Sequence, residues 1–252
     1  SVNLFAQSSS LWRPFSDCYI PDIQNHYDCS PETIGWKSFN ITTQGVSCNI
    51  GVGYRIKRCN LPTPTIFIDL NYISVSLQNC PELICLLHPG NSEPPPNGCI
   101  NNPLDNTFYD QLENTLYREL IKSLFDEIKN EFECPSYATF RRYAISSCKK
   151  VCGAQLAAPG QDIAWVYVPK KCASNICCFK DYYICKDENN QFIGLETPIS
   201  AWSDCPTNPI EEESCFHVGD IVNLFGIDYT VIAVSVPDCV PGCRDVGYLE
   251  IE

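Results

Sequence analysis

The sequence predicts an α+β fold that is rich in disulfide bonds, with mostly antiparallel β-strands and one long amphipathic helix at about residues 103–133. Two observations lead to this prediction. A cysteine-free run in the middle of the chain places an apolar residue at every fourth position, which is a helical spacing. The segments on either side alternate β-branched or aromatic residues with polar ones, and they hold all 18 cysteines of the 252 residues.

The long helix is predicted from the run 100–133. Its apolar residues recur at a spacing of four: Phe108, Leu112, Leu116, Leu120, Leu124, Ile128 and Phe132. Asn102 is the expected N-cap, Pro103 suits the first helical position, and Asp105 lies where a carboxylate meets free N–H groups. The helix is expected to end before Pro135, because the residue that precedes a proline avoids helical dihedral angles.

Strands are expected on both sides of the helix, from period-two alternation and from turn residues at their ends. They are predicted at 46–59, 65–77, 137–147, 162–168, 179–185, 191–197, 220–224, 229–236 and 247–251. The predicted organisation has five parts: an N-terminal arm (1–14), a disulfide-rich β domain (15–99), the long helix (100–134), a basic, disulfide-rich β-hairpin region (135–206) and a small C-terminal β domain (207–252).

The cysteines indicate an oxidising, extracellular location, since a reducing cytosol would keep them as thiols. The candidates for disulfide bonding are Cys18, Cys29, Cys48, Cys59, Cys80, Cys85, Cys99, Cys134, Cys148, Cys152, Cys172, Cys177, Cys178, Cys185, Cys205, Cys215, Cys239 and Cys243. Zinc is the rival explanation. However, the chain contains no Cys-x-x-Cys pair, and its three histidines do not lie at ligand spacing. The connectivity of the bonds does not follow from the sequence.

The net charge of −13 argues against a nucleic-acid partner. The charge is uneven, because residues 135–186 hold eight basic and two acidic side chains, a local net charge of +6. One interpretation is a solvated surface with chance clustering. The other is a basic face that meets the acidic helix or an acidic subunit.

No catalytic constellation, phosphate loop or metal-ligand spacing is present in the sequence, so we expect no enzymatic activity, no cofactor and no bound metal. No apolar run reaches the roughly 20 residues that a membrane-spanning helix requires. Asn40, in Asn40-Ile41-Thr42, is the single candidate for N-glycosylation and raises the prospect of a glycoprotein.

Two short stretches resemble known families. The segment 48–59, with a cysteine, two glycines and alternating basic residues before a second cysteine, is similar to the core of a thrombospondin type 1 repeat. That resemblance implies that Arg55 and Lys57 stack on tryptophan rings. Trp36 lies farther upstream than the spacing of the family, which favours convergence on a twisted, disulfide-tied hairpin.

The second stretch, 172–206, contains adjacent Cys177 and Cys178, then a tyrosine pair and a further cysteine before a polar turn. It resembles hairpins of cysteine-rich secreted proteins of bacterial surfaces, some of which resemble extracellular filament subunits. Adjacent residues of a strand point to opposite faces, so the two cysteines are suited to fixing the hairpin to two neighbours.

These observations favour a secreted structural subunit of an extracellular filament or surface appendage, whose partners are other copies of itself. Head-to-tail assembly is expected through the N-terminal arm, with Val2, Leu4, Phe5 and Trp12 as the contacting residues, since an uncharged apolar arm is suited to pairing with a sheet edge. An arm that packs on its own subunit, or a signal-peptide remnant, remains an alternative. The other functional classes are a secreted adhesin or carbohydrate-binding module, with glycans as partners, and a secreted hydrolase.

Overall fold

The computed structural model describes residues 28–60, 64–90, 99, 102–128, 132–144, 148–172, 178–189, 191–197, 214–224, 226–235, 237–241 and 246–250. Within these residues the chain forms eleven strands and two helices. The strands are β1 (Thr33–Thr43), β2 (Val46–Cys59), β3 (Thr65–Ser76), β4 (Ala138–Ala144), β5 (Cys148–Ala157), β6 (Ala164–Lys171), β7 (Cys178–Lys186), β8 (Phe192–Glu196), β9 (Ile221–Leu224), β10 (Ile227–Ser235) and β11 (Val240–Pro241). The helices are α1 (Pro81–Leu87) and α2 (Asn106–Ile128).

The strands join one sheet that branches at β3. Strand β2 pairs antiparallel with nearly the whole of one edge of β3. The other edge is shared, because β4 pairs in parallel with Thr65–Ile68, whereas β6 pairs antiparallel with Ile73–Ser76. One branch therefore runs β4–β7–β8, and the other runs β6–β5–β10–β9. All the pairings between the named strands except that of β3 with β4 are antiparallel, as the sequence predicts.

At the branch point, a short stretch of β3 pairs with neither branch. Residues 69–72 pair with neither branch, and Asn71 is a bulge between the pairs Gly53–Tyr72 and Tyr54–Leu70. The amide of Leu70 donates instead to the Tyr117 hydroxyl of α2, at 2.7 Å. Helix α2 therefore supplies a hydrogen bond that the sheet lacks at this point.

Helix α2 begins later and ends earlier than the sequence predicts. Asp105 is the capping residue, since its Oδ1 accepts hydrogen bonds from the backbone amides of Thr107 and Phe108 at 2.9 and 3.1 Å. The expected cap, Asn102, bonds through its side-chain amide to the carbonyl of His88. At the other end, Glu133 lies outside the helix, in an isolated bridge with Lys186.

The amphipathic character that the sequence predicts for the long helix is not confirmed. The predicted apolar stripe is buried, from Phe108 to Ile128, but several polar residues of α2 are buried as well. Asp110, Glu113, Asn114 and Thr115 are each at most 5% exposed. The helix is therefore enclosed over most of its circumference, and its buried carboxylates require partners.

Apolar cores lie on both faces of the sheet. Side chains of β2, β3 and β6 pack with both helices in the larger core. Alternate residues of β5 and β6 point the other way and pack against Phe216 and the C-terminal strands β9 and β10. Strand β5 is therefore buried on both faces, which removes the period-two pattern by which a strand is recognised from sequence.

Six disulfide bonds between described cysteines confirm that the chain is disulfide-rich. They join Cys29 to Cys59, Cys48 to Cys80, Cys85 to Cys99, Cys134 to Cys185, Cys152 to Cys215 and Cys172 to Cys239. Cys148 is also disulfide-bonded, and none of the described cysteines is free. The candidates Cys18, Cys177, Cys205 and Cys243, together with the side chain of Cys178, lie outside the described residues.

Most of the predicted strands are present, with small shifts at their ends. Three strands and one helix were not expected: β1, β5, β11 and α1. The strand predicted at 247–251 is wrong, because residues 246–250 have no strand pairing and lie across α2 instead. No described helix has the length and apolar character needed to cross a membrane.

Candidate functional site

The exposed edge of the sheet at β8 is the first candidate site. All five residues of β8 are exposed, and only Glu196 carries a charge. Leu195 is 59% exposed and Ile193 is 42% exposed. The strand pairs with β7 on one side, and no other described strand pairs with it. Native proteins usually protect such an edge with charge, proline or a covering segment, so an apolar edge of this kind is suited to pairing with another chain.

A cavity of about 250 Å³ lies next to this edge, between α2 and the β7–β8 hairpin. Its apolar lining comes from Ile121 of the helix and from Ile184, Phe192 and Leu195 of the hairpin. Arg118, Lys122 and Glu196 supply charge at its rim. Beside a strand edge with which no described strand pairs, an apolar cavity is suited to receiving a side chain of an added strand.

The rim of the cavity is fixed by a network around Glu196. Lys180 lies 3.0 Å from its Oε2, Arg118 lies 3.4 Å from its Oε1, and the Tyr248 hydroxyl donates to it. Burial raises the pKa of the Glu196 carboxyl, but the hydrogen bonds from Tyr248 and Lys180 outweigh burial and leave its pKa below the usual value. The pKa of Tyr248 is raised to about 12, by burial and by its bond to Glu196. At neutral pH the carboxyl is therefore charged and the phenol is neutral.

The second candidate site is a buried charge cluster, formed by Asp110, Glu113, Arg142 and Lys149 at the branch of the sheet. Arg142 donates to Glu113 Oε2 at 2.7 Å, and Lys149 Nζ lies 2.8 Å from Asp110 Oδ1 and 3.4 Å from the same Glu113 oxygen. The four side chains are each at most 8% exposed. Two cations face two carboxylates, so the cluster is neutral overall, as burial requires.

Neighbouring groups complete the charge cluster. Arg142 also donates to Asn114 Oδ1, and its guanidinium lies over the Tyr117 ring, 4.1 Å from the centroid. Burial lowers the pKa of Lys149, but attraction by Asp110 and Glu113 outweighs burial and raises it overall. Burial also lowers the pKa of Arg142, but attraction, mainly by Glu113, outweighs burial and raises it overall. The ion pairs are therefore the resting form of the cluster.

The segment 246–250 lies across the helix beside this cluster. Gln111 and Asn114 donate side-chain hydrogen bonds to the carbonyls of Val246 and Gly247, at 3.1 and 2.8 Å. The amide of Leu249 donates to Thr115 Oγ1 at 3.0 Å, and Leu249 is buried. These contacts account for the burial of Asn114 and Thr115, two polar residues of α2.

The predicted assembly residues Val2, Leu4, Phe5 and Trp12 lie outside the described residues. The candidate glycosylation residue, Asn40, is exposed on β1, where its Oδ1 accepts a hydrogen bond from Asn49 at 2.8 Å. In the stretch that resembles a thrombospondin repeat, Cys48 and Cys59 bond to Cys80 and Cys29, and Arg55 pairs with Glu32 at 2.8 Å.

The sulfur atoms of Cys148, Cys172 and Cys239 lie within 4.8 Å of one another. All three cysteines are disulfide-bonded, whereas a metal ion binds the free thiolate. The three sulfur atoms therefore belong to neighbouring disulfide bonds and do not form a metal site.

The charge cluster was not identified as a site from the sequence, although one signal for it was present. The hypothesis that the basic region meets the acidic helix is confirmed for Arg142 and Lys149, which contact Glu113 and Asp110. A spacing of three between those two carboxylates places them on one side of a helix, which was the available signal. No family model, no curated protein and no solved structure matches this chain.

Proposed function

We propose that the protein is a secreted structural subunit of an extracellular filament or surface appendage, in which strand β8 of one copy accepts the N-terminal arm of the next. The observation that carries the proposal is the exposed, apolar edge of β8. The six described disulfide bonds support an extracellular location and a durable fold, because each closed loop contributes about 2–4 kcal/mol.

The chemistry of the arm suits this edge. Residues 1–6 are uncharged and mostly apolar, and the three serines at 8–10 have the composition of a linker. An added strand would hydrogen-bond to β8 through its backbone, and alternate side chains would point toward the cavity. Burial of Leu4 and Phe5 would contribute about 1.5–3 kcal/mol each. Because donor and acceptor are different surfaces, the contact propagates into a filament unless rotation closes a ring.

The test combines two variants with complementary defects. Deletion of residues 1–10 removes the donor, and Leu195→Lys blocks the acceptor, since lysine on an edge strand opposes strand addition. Val218→Lys is the matched control, because Val218 is 65% exposed and lies in a turn that is not part of β8. We expect fibres from the natural sequence and from the control in electron micrographs, and monomers from each of the other two variants.

Mixing the two defective variants sharpens the experiment. The deletion variant retains only an acceptor and Leu195→Lys retains only a donor, so together they should form one-to-one dimers and no fibres. Fibres from the deletion variant that match those of the natural sequence would refute the proposal. So would monodisperse particles of the natural sequence at every concentration tested by light scattering.

A second candidate function, the adhesin or carbohydrate-binding module, has one observation in its favour. Trp36 is 47% exposed on β1, beside Ile34, and sugars commonly stack on exposed aromatic rings. Trp165, in contrast, is fully buried, and Trp12 and Trp202 lie outside the described residues. A glycan array probed with the protein and with Trp36→Ala distinguishes the two functions, since only a binder loses signal in the variant.

A further inference from the structure

The buried contact between Lys149 and Asp110 brings an amine and a carboxyl together in the interior of the protein. The Lys149 nitrogen lies 2.8 Å from Asp110 Oδ1, next to the carboxyl carbon that an amine attacks. Reacting atoms in productive complexes are about 3–3.5 Å apart. The two residues come from different elements, α2 and β5, so a bond between them would tie the helix to the sheet.

A second carboxyl is placed to move protons. Glu113 Oε2 lies 3.4 Å from the same nitrogen, and one helical turn separates Glu113 from Asp110. The side chains of Lys149, Asp110 and Glu113 are each at most 7% exposed, and the Tyr109 ring centroid lies 5.4 Å from the lysine nitrogen. Such a site excludes most water, which disfavours hydrolysis of an amide once it has formed.

We propose that Lys149 and Asp110 condense to a side-chain amide, an isopeptide bond, with Glu113 as the proton-transfer residue. The proposal is independent of filament assembly. In the first step one ammonium proton passes to the Asp110 carboxylate, which leaves a neutral amine and a carboxylic acid. Burial favours this neutral pair over separated charges, although the ion pair is the resting form, so the reaction is slow.

In the second step the Lys149 nitrogen attacks Cγ of Asp110, and a second amine proton moves to Glu113. Glu113 then returns this proton to the departing hydroxyl, the Cγ–O bond breaks and water leaves. One ammonium and one carboxylate become one amide and one water, so atoms and charges balance without any oxidant or cofactor. Arg142 remains paired with Glu113 at 2.7 Å, and the cluster therefore stays neutral after the reaction.

The charges of the cluster also argue for this product. A buried ion pair costs desolvation energy that an uncharged arrangement of similar volume avoids. The amide removes one cation and one anion, and leaves the second pair in place. The product would be a planar amide with a carbon–nitrogen bond of about 1.33 Å.

The experiment is mass spectrometry of the full chain after folding, followed by complete reduction and alkylation. Alkylation is essential, because closing nine disulfides from the 18 cysteines would lower the mass by nearly the mass of one water. We expect the alkylated chain to be one water lighter than its sequence requires. Trypsin should release residues 59–118 joined to residues 143–150, since a modified Lys149 is no longer cleaved.

Three variants test the assigned roles. Lys149→Arg keeps the cation without the amine, and Glu113→Gln removes the proton-transfer carboxyl; both should show the full sequence mass while their disulfides still form. Asp110→Asn should give the same cross-linked product as the natural sequence, with ammonia as the leaving group. Lys180→Arg, at a buried lysine 3.0 Å from Glu196, is the control and should remain cross-linked.

Full sequence mass in the folded and alkylated natural chain would overturn the proposal and leave an ordinary ion pair. A water loss that maps to other peptides would overturn it as well. A cross-link that persists in Glu113→Gln would refute the role of Glu113. Because the first measurement uses the natural sequence, the result does not depend on whether any variant folds.

Discussion

Replacement of Arg142 by methionine tests whether the buried charge cluster is held together by charge balance. Arg142 is 8% exposed and is committed to Glu113, Asn114 and the Tyr117 ring. Methionine fills a comparable volume and keeps the apolar contact with Tyr117, but it removes the cation. The substitution therefore leaves the Glu113 carboxylate in the interior with one fewer partner.

The expected cost follows from this geometry. Removal of one member of a buried ion pair costs about 3–5 kcal/mol, mainly because the other charge is left uncompensated. Lys149 lies 3.4 Å from the same Glu113 oxygen and offsets part of the loss wherever it is still a charged amine. For that form we expect the lower end of the range, about 3 kcal/mol in the free energy of unfolding. For a form in which Lys149 is an uncharged amide, we expect the upper end, about 5 kcal/mol. Glu113→Met in the same chain removes the orphaned charge and should recover at least half of the loss.

Guanidinium unfolding under non-reducing conditions measures the effect, with the midpoint and the slope compared between variants. Lys122→Met is the matched control, because Lys122 is 43% exposed and pairs with Glu119 on the helix surface. Its cost should stay within about 0.5 kcal/mol. The reasoning is refuted if Arg142→Met costs less than about 1 kcal/mol, or if the double variant loses as much as the two single variants added together.

Three further outcomes follow from the structure. Leu120 is fully buried, so Leu120→Ala should cost about 2–5 kcal/mol in the same assay, and a loss below about 0.5 kcal/mol would contradict the packing of α2. Burial lowers the pKa of His88 from the ordinary 6.5, so the stability it contributes is complete above that pH and falls as the pH drops toward the folded value. His88→Gln should flatten this dependence, and an unchanged profile would assign it to other groups. Thiol titration of the unfolded, unreduced chain should find fewer than about two free thiols, and stoichiometric zinc in metal analysis would contradict the disulfide assignment.

The sequence predicts well those strands and helices in which apolar residues recur at a regular spacing. Strand β2 is found at the predicted bounds, Val46–Cys59, and the β7–β8 hairpin is found close to its predicted bounds. Strand β1 was missed because its inward positions include Gly35 and Lys37, and Lys37 reaches Ser123 and Glu127 of α2. In the sequence, a lysine that points inward and bonds to a helix cannot be told from a lysine that points into solvent, so the alternation of apolar and polar residues is lost.

The edge at β8 and the charge cluster differ in how far the sequence indicates them. The apolar character of β8 is visible in the sequence, but its position at the end of a branch depends on pairings between distant strands. The burial of Asp110 and Glu113 depends on where the sheet brings Arg142 of β4 and Lys149 of β5, which is not a local property. Local periodicity assigns both carboxylates to solvent, since charged residues are rarely buried unless they are paired.

The branch in the sheet accounts for the unusual helix. Where β4 and β6 diverge, neither of these strands pairs with residues 69–72 of β3, and a purely apolar helix face could not accept the hydrogen bond that the Leu70 amide donates. Tyr117 satisfies the Leu70 amide, and the turns of α2 before it place Asp110 and Glu113 near the start of β5 and the end of β4. Carboxylates at that depth require cations, which Lys149 and Arg142 supply from the two strands. The polar side of α2 thus follows from the branch, and the cluster joins the two arms of the sheet through one helix.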